Sequence, residues 1–270
     1  MKTIAFIGTG NMAGAMIDGM MSKGDIKPSE VVIYNRTVAK SQAYAHKYKG
    51  MTLAGNECEA AEQAKYILLG VKPYQHQEVI EKIKENMRPD QVIITIAAGV
   101  SIEGVRYWFG DDVKVVRTMP NTPAKVMAGM TAVSFSNKLE ETEKTWSLAF
   151  LKSFGEVEVI DEKLMDSVPA ISGSSPAYMF QLIEAMADEG VKQGFQREQA
   201  YKMSAQAMVG AGKMVLETGL HPAVLKDQVT SPGGTTIVAL RVLEENGFRA
   251  SVMKAMDACT QKTLQLAAKK

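Results

Sequence analysis

The fold is decided near the amino terminus, by the stretch Lys2-Thr3-Ile4-Ala5-Phe6-Ile7-Gly8-Thr9-Gly10-Asn11-Met12-Ala13. An apolar strand leads directly into the pattern G-x-G-x-x-A, and that pattern opens a helix. Gly8 permits the tight turn, Gly10 lets a pyrophosphate approach the backbone, and Ala13 keeps the helix close to the sheet. Backbone amides at the helix start then face the phosphates. We therefore predict a dinucleotide site formed by Ile7, Gly8, Thr9, Gly10, Asn11, Met12 and Ala13.

Outward from this turn, short apolar runs alternate with amphipathic segments over residues 1–161. This alternation predicts an α/β domain of the Rossmann type, a doubly wound parallel sheet covered by helices on both faces. The predicted strands are Lys2–Ile7, Val31–Tyr34, Met51–Ala54, Tyr66–Val71, Val92–Ala97, Val113–Arg117, Met130–Phe135 and Val157–Ile160. The predicted helices are Asn11–Lys23, Val38–Tyr48, Tyr74–Met87 and Glu140–Ser153.

Residues 162–270 follow a different pattern, because strand signals stop and helical periodicity takes over. Apolar side chains recur at i, i+3, i+4 and i+7 at Met179, Leu182, Ile183 and Met186. Other apolar residues of this half lie off the main helical face, so a single chain would expose large apolar patches. We therefore predict an all-helical dimerisation domain over residues 162–270 and an intertwined homodimer. A monomeric helical bundle packed on the first domain is the alternative.

The composition excludes several classes of protein. Of the 270 residues, 46% are hydrophobic and 23% are charged, which is ordinary globular usage. Lys and Arg total 31 against 30 Asp and Glu, so charge alone predicts neither a nucleic-acid nor a membrane partner. No apolar run reaches the roughly 18 residues of a membrane span. The two cysteines and three histidines are too scattered for a metal site. We expect a cytoplasmic protein.

The residues after the second predicted strand indicate which dinucleotide is bound. Sites for NAD usually carry an acidic residue there to bind the ribose 2′-hydroxyl, whereas this chain has Asn35-Arg36-Thr37. Arg36 can pair with a 2′-phosphate, and Asn35 and Thr37 can hydrogen-bond to it. NADPH is therefore the predicted cofactor. The alternative is that Arg36 is an ordinary exposed arginine.

Two further strand ends are predicted to line the same cleft, because ligands bind beyond the carboxyl ends of parallel strands. Small side chains at these ends leave room for a ribose and a nicotinamide, and Lys72 can bind a hydroxyl, a water or a substrate group. The residues concerned are Gly70, Val71, Lys72 and Pro73 after one strand and Ala97, Ala98 and Gly99 after another.

A second candidate site lies in the helical half, at Ser231-Pro232-Gly233-Gly234-Thr235-Thr236. Ser231 suits a helix N-cap and Pro232 the first helical position. Two glycines in a first helical turn cost roughly 1 kcal/mol each, so their presence indicates a ligand close to the backbone. The predicted binding groups for a substrate carboxylate are Ser231, the amides of Gly233, Gly234 and Thr235, and the hydroxyls of Thr235 and Thr236. An ordinary capped helix is the alternative.

The residues that the chain lacks indicate which kind of double bond accepts the hydride. Carbonyl reduction usually uses a Tyr-x-x-x-Lys pair or a histidine, and no convincing pair is present. A C=N bond needs only a group that orients its nitrogen, and the Thr236 hydroxyl suffices. A β-hydroxyacid dehydrogenase is one alternative, but the segment after Gly173 has no lysine before Lys192. A non-catalytic NADP(H)-sensing protein is another, although it leaves the Ser231–Thr236 turn without a purpose.

With these motifs in place, the chain resembles pyrroline-5-carboxylate reductases over essentially its whole length. The resemblance is carried by Phe6–Ala13, Gly70–Pro73, Arg117–Pro123, Ser172–Tyr178 and, most specifically, Leu225–Thr236. It implies reduction of the cyclic imine 1-pyrroline-5-carboxylate to L-proline, the last step of proline biosynthesis, with NADPH preferred and NADH possible. It also implies interleaved dimers, an active site shared between two chains, and decamers of five dimers.

The resemblance also implies roles for individual residues. Thr236 is the catalytic residue and contacts the ring nitrogen, and the Gly233–Thr236 amides hold the substrate carboxylate. Asn56 lines the adenosine end of the cofactor, and Ala97, Ala98 and Gly99 flank the nicotinamide.

Overall fold

The glycine-rich turn joins the first strand to the first helix of an eight-stranded sheet in the computed structural model, which describes residues 2–267. The strands are β1 Lys2–Ile7, β2 Val31–Tyr34, β3 Thr52–Leu53, β4 Ala64–Leu69, β5 Val92–Thr95, β6 Lys114–Met119, β7 Gly129–Phe135 and β8 Gly155–Val159. Their order is β3-β2-β1-β4-β5-β6-β7-β8, and every pair from β3 to β6 is parallel. The predicted doubly wound sheet is confirmed.

One strand departs from the parallel sheet that the sequence predicts. β7 pairs antiparallel with β6, with Val116 opposite Phe135 and Met119 opposite Ala132. A parallel return needs a crossover of about a dozen residues, usually a helix. The connection from β6 to β7 holds only the short 3₁₀ segment Thr122–Val126, so the chain folds straight back. A helix does connect β7 to β8, and that pair is parallel.

Six α-helices surround the sheet in this part of the chain: α1 Asn11–Lys23, α2 Val38–Lys47, α3 Glu57–Gln63, α4 His76–Ile83, α5 Ile102–Phe109 and α6 Glu141–Leu151. The sequence analysis missed α3 and α5, which are short. Both have N-cap side chains: Asn56 accepts from the amide of Glu59, and Ser101 accepts from the amide of Gly104. These caps satisfy amides that would otherwise lack partners at the helix start.

The strands are apolar throughout because both faces of the sheet are buried. In β1, Ile4 and Phe6 pack on one side in a cluster that includes Met16 of α1. Ala5 and Ile7 pack on the opposite side in a cluster that includes Ile80 of α4. Burying one large apolar side chain contributes about 1.5–3 kcal/mol, so a strand with two apolar faces is strongly held at the centre of the sheet.

The chain divides into two compact units. The first extends to Ser174 and takes in the last helix from Cys259 onward, and the second is Ser175–Ala258. The helices that follow β8 are α7 Ser175–Lys192, α8 Arg197–Thr218, α9 Pro222–Gln228, α10 Thr235–Glu245 and α11 Phe248–Ala267. The domain boundary at residues 161/162 stays a prediction.

Helices α7 to α11 leave much of their apolar surface open in the single chain. None of the residues of α10 is buried, and α7 buries only Ala187 among its residues. Large side chains with at least two fifths of their surface exposed include Phe180, Met203, Leu216, Val238 and Met253. An exposed apolar surface of this kind marks a protein–protein interface.

A buried ion cluster ties α6 to the sheet. The Glu143 carboxylate lies 2.8 Å from the Lys114 ammonium of β6 and 3.6 Å from that of Lys65 on β4. Burial alone raises the pKa of Glu143, but hydrogen bonds from Lys114 and from the amide of Glu140 outweigh it and lower the pKa below its ordinary value. The charged form of Glu143 therefore stabilises the fold.

We expect Glu143→Gln to lower the free energy of unfolding at pH 7 by about 2–3 kcal/mol, because it leaves Lys114 without its buried partner. Since the pKa of Glu143 is lowered in the folded state, its contribution is present above the ordinary value of 4.5 and is lost at lower pH. Urea unfolding at pH 7 and at pH 4, at one protein concentration, measures both effects. A difference between wild type and variant that is equal at the two pH values would contradict the prediction.

Candidate cofactor and substrate sites

A cavity of about 660 Å³ opens at the carboxyl ends of β1, β2, β4 and β5, where the fold places ligands. Most of the predicted cofactor residues meet there. They are Ile7, Gly8, Gly10, Asn11, Met12, Asn35, Arg36, Thr37, Gly70, Val71, Lys72, Pro73, Ala97 and Ala98.

Four predicted cofactor residues are not among those that line the cavity in the described part of the chain. Thr9 is buried, and its amide donates to Asn35 Oδ1 at 3.0 Å. Ala13 is buried under the turn. Asn56 uses its side chain to cap α3. Gly99 adopts a left-handed conformation, with φ of 70°, in the loop after β5.

Gly8 and Gly70 are held against each other at the base of the cavity. The Gly8 amide donates to the Tyr34 carbonyl and the Gly70 amide donates to the Ile7 carbonyl, both at 2.8 Å. Gly8 has a φ of 97°, and a Cβ atom there would lie 2.8 Å from the carbonyl carbon of Gly70. A Cβ atom on Gly70 would lie 2.3 Å from the Gly8 oxygen. The packing of the protein itself therefore requires glycine at both positions.

Gly10 differs from Gly8, because neither its backbone conformation nor any contact with residues 2–267 requires a glycine there. Its φ of −70° and ψ of −178° suit any residue, and a Cβ atom would meet nothing closer than the Gly70 oxygen at 3.8 Å. A side chain at this point would instead fill the cavity above the start of α1. Open space over a helix N-terminus fits a pyrophosphate, and the residues present therefore fit a dinucleotide.

Two cations line the cavity after β2, one in the loop that follows the strand and one in the first turn of α2. They are Arg36 and Lys40, and neither forms an ion pair within residues 2–267. Asn35 is occupied within the protein: its Oδ1 accepts from the Thr9 amide, and its Nδ2 donates to the Thr37 carbonyl at 3.0 Å. Asn35 therefore links the glycine-rich turn to the loop after β2, a role that the sequence analysis missed.

Acidic and basic side chains alternate along the neighbouring rim. Lys82 lies 2.9 Å from Glu78 and 3.4 Å from Glu57, and all three residues line the cavity. The hydrogen bonds with the carboxylates raise the pKa of Lys82. Burial, with the charge of Glu57, raises the pKa of Tyr34. Lys82 is thus neutralised locally, whereas the lining cations Arg36, Lys40 and Lys72 form no ion pair within residues 2–267.

Sequence reasoning missed part of the cavity lining. Lys40 follows Arg36 by four residues, and this spacing could have identified Lys40 as a second cation of the site from the sequence. Met119, Pro120 and Thr122 belong to a motif that the sequence analysis quoted without assigning a role to it. Most of the remaining lining residues belong to no recognisable sequence motif. They are Tyr34, Glu57, Gln75, Glu78, Val79, Lys82 and Ile96.

The Ser231–Thr236 segment lies in the second unit and forms a tight turn before α10. The prediction of an N-cap at Ser231 was wrong, since the cap is Gly234 and the helix begins at Thr235. Gly233 has a φ of 70°, and the Gly234 amide donates to the Ser231 carbonyl at 3.0 Å. A left-handed residue cannot continue a helix from Pro232, which moves the helix start.

This turn changes which amides face a ligand. The Gly234 amide is taken by Ser231, contrary to prediction, but Thr235 and Thr236 begin α10 and their amides have no partner in the helix. Their hydroxyls form no hydrogen bond within the described residues. A Cβ atom on Gly234 would lie 2.3 Å from Ser231 Oγ, so that glycine is required by the turn. The segment offers amides and hydroxyls to a small anion.

Within residues 2–267, no group of three or more His, Cys, Asp or Glu side chains is placed to hold a metal ion. None of the described helices combines the length and the apolar character needed to cross a bilayer.

Family models match the two halves of the chain separately. Residues 3–99 match the model described as NADP oxidoreductase coenzyme F420-dependent. Residues 162–266 match the model described as pyrroline-5-carboxylate reductase dimerisation. The second match agrees with the exposed apolar helices and supports a homodimer.

Full-length comparison gives the same family. The chain is 46% identical to pyrroline-5-carboxylate reductase of Escherichia coli over 98% of both chains. The solved pyrroline-5-carboxylate reductase from Coxiella burnetii has a TM-score of 0.90 and 32% identity, covering 98% of both chains. A Plasmodium falciparum pyrroline carboxylate reductase with NADP bound has a TM-score of 0.89 and 30% identity, also over 98% of both.

Identity at this level, sustained from end to end, is shared by proteins of common ancestry and fold. The chain belongs to the pyrroline-5-carboxylate reductase family.

Proposed function

We propose that this protein reduces the cyclic imine 1-pyrroline-5-carboxylate to L-proline with NADPH as the preferred cofactor. The observation that carries the proposal is the turn Ser231–Thr236, whose amides and hydroxyls are open to a small anionic substrate. Relatives that carry this activity in their name match almost the whole chain. NADH serves as a weaker second cofactor.

The reaction needs a hydride at the imine carbon and a proton at the ring nitrogen. The reduced nicotinamide supplies the hydride when the cofactor is bound. The free amides of the turn hold the substrate carboxylate, and the Thr236 hydroxyl hydrogen-bonds to the ring nitrogen and orients it. An imine nitrogen is basic enough to be protonated by water or by a weak donor, so no strong general acid is required.

The cation pair at the end of β2 supports the preference for NADPH. Arg36 and Lys40 line the cavity beside the start of α2, whose N-terminal amides add to the positive potential. An arginine fork suits a phosphate better than a hydroxyl. Arg36 and Lys40 together therefore bind the ribose 2′-phosphate.

The assembly and location that we propose go beyond the dimer. Five dimers associate into a decamer. Each active site combines the cofactor cavity of one chain with the Ser231–Thr236 turn of its partner. The protein acts in the cytoplasm, where NADPH is the biosynthetic reductant and where its free cysteines, Cys58 and Cys259, stay reduced.

The function and the role of Thr236 are tested together by following NADPH absorbance at 340 nm. We expect NADPH consumption with 1-pyrroline-5-carboxylate and none with the keto acids that correspond to hydroxyacids. Thr236→Ala should lower kcat by about tenfold or more, because it removes the group that orients the ring nitrogen. Thr236→Ser keeps the hydroxyl and should retain most of the activity.

Two outcomes would count against these assignments. NADPH oxidation with keto acids instead of the imine would reject the proposed substrate. Equal steady-state constants for wild type and Thr236→Ala, in protein of unchanged thermal stability, would show that another group orients the nitrogen.

Substitutions of Gly8 and Gly10 in the glycine-rich turn after β1 should separate an effect on folding from an effect on cofactor binding. Gly10→Ala should raise the dissociation constant of NADPH by about tenfold or more while changing the free energy of unfolding by less than about 1 kcal/mol. Gly8→Ala is the matched control, and it should destabilise the fold by about 3 kcal/mol or more because of its φ and its contact with Gly70. Fluorescence titration and thermal unfolding measure the two effects. Wild-type affinity in Gly10→Ala would remove the pyrophosphate from this position.

Arg36→Ala should raise the Michaelis constant for NADPH by about ten- to a hundredfold, since charge-assisted hydrogen bonds to the 2′-phosphate are lost. The constant for NADH should change little, and NADH serves as the internal control. Arg36→Lys keeps the positive charge but lacks the planar guanidinium. Its Michaelis constant for NADPH should therefore lie between those of the wild type and of Arg36→Ala. Equal changes for both cofactors would place Arg36 away from the 2′-phosphate.

A further inference from the structure

A buried histidine lies behind the cofactor cavity and is not among its lining residues. His76, the first residue of α4, is fully buried, although histidine is a polar side chain. Its Nδ1 lies 3.2 Å from the Lys72 carbonyl oxygen, and its Nε2 lies 3.1 Å from Thr95 Oγ1. Lys72 follows β4 and Thr95 ends β5, so the ring connects two neighbouring strand ends.

The chemistry of these partners determines the tautomer. A carbonyl oxygen only accepts, so Nδ1 of His76 carries a proton and donates to Lys72. In the neutral ring Nε2 then accepts from the Thr95 hydroxyl. The Thr95 oxygen in turn accepts from the Ala97 amide at 3.3 Å. The hydrogen bonds form a continuous series from the Lys72 carbonyl to the Ala97 amide.

A third strand end joins the same network. The Thr118 hydroxyl of β6 donates to the Thr95 carbonyl at 3.0 Å, and Thr118 is itself almost fully buried. The residues next to each partner line the cavity: Pro73 after Lys72, Ile96 and Ala98 around Ala97, and Met119 after Thr118. The network therefore lies directly behind three segments of the cavity lining.

We propose that His76 and Thr95 are positioning residues for the cofactor, holding the loops after β4 and β5 at the separation that the bound dinucleotide needs. This proposal rests on the proposed function for the identity of the cofactor, NADPH. Neither His76 nor Thr95 lines the cavity, so both act through the backbone of Lys72 and Ala97. A fully buried polar network costs free energy if any member loses its partner, which makes the spacing of the two loops stiff.

Thr95→Val is the sharpest variant, because valine keeps the β-branched shape and removes only the hydroxyl. It deprives both the His76 ring and the Ala97 amide of a partner. We expect the dissociation constant of NADPH to rise about tenfold and its KM to rise in step, with a smaller change in kcat. Thr95→Ser restores the hydroxyl and should restore the affinity.

Thr131→Val is a matched control in the same sheet. Thr131 on β7 is almost fully buried, and its hydroxyl has no hydrogen-bond partner among residues 2–267, so its replacement should leave NADPH affinity unchanged. His76→Asn provides a second route: the asparagine amide replaces Nδ1–H towards Lys72 but does not reach Thr95. It should reproduce the effect of Thr95→Val, and the double variant should be no weaker in binding than either single one.

Direct titration of the full-length protein with NADPH, followed by its fluorescence, keeps this test separate from turnover. Weakened binding in Thr95→Val and recovery in Thr95→Ser support the positioning role, even if wild type proves inactive with the imine and the proposed function fails. A lowered thermal midpoint in Thr95→Val with wild-type NADPH affinity would overturn it and leave the network a purely structural one. Equal loss of affinity in Thr131→Val would overturn it as well.

Discussion

The contact between the backbones of Gly8 and Gly70 is the constraint on which the cofactor cavity depends. β1 and β4 are adjacent in the sheet, and their carboxyl ends meet with no side chain between them. The approach is so close that a single methyl group at either position would collide with the backbone of the other strand. It places the start of α1 directly over the sheet edge, with its free amides facing the open space above Gly10.

Because that contact follows from local sequence, the cofactor half of the molecule was largely predictable. A strand, two glycines and a helix start are encoded within the stretch from Lys2 to Ala13, and apolar strands with two buried faces are recognisable without knowledge of their partners. What could not be predicted depends on distant contacts. The internal bonds of Asn35 follow from the position of Thr9 after the neighbouring strand β1. The antiparallel pairing of β7, by contrast, was missed although the connection after β6 is too short for a crossover helix.

The Ser231–Thr236 turn shows the opposite case, in which local rules gave the wrong helix start. Serine followed by proline is a good beginning for a helix, yet Gly233 adopts a left-handed conformation and delays the start to Thr235. A glycine at that position has two compatible conformations, and the sequence alone does not choose between them. The delay changes which groups the turn presents, because it places two threonines at the first positions of the helix. Their amides have no helical hydrogen-bond partners at these positions, and their hydroxyls lie in the same first turn of α10.

The two halves of the chain differ in how much of their apolar surface a single chain buries. The first unit is complete by itself, since its sheet is buried on both faces and its cavity is formed by its own strand ends. The helices of the second unit bury few of their own residues, so a single chain leaves their apolar faces in water. Covering those faces with a second copy lowers the free energy of both chains, so the stability of the second unit depends on association and therefore on protein concentration.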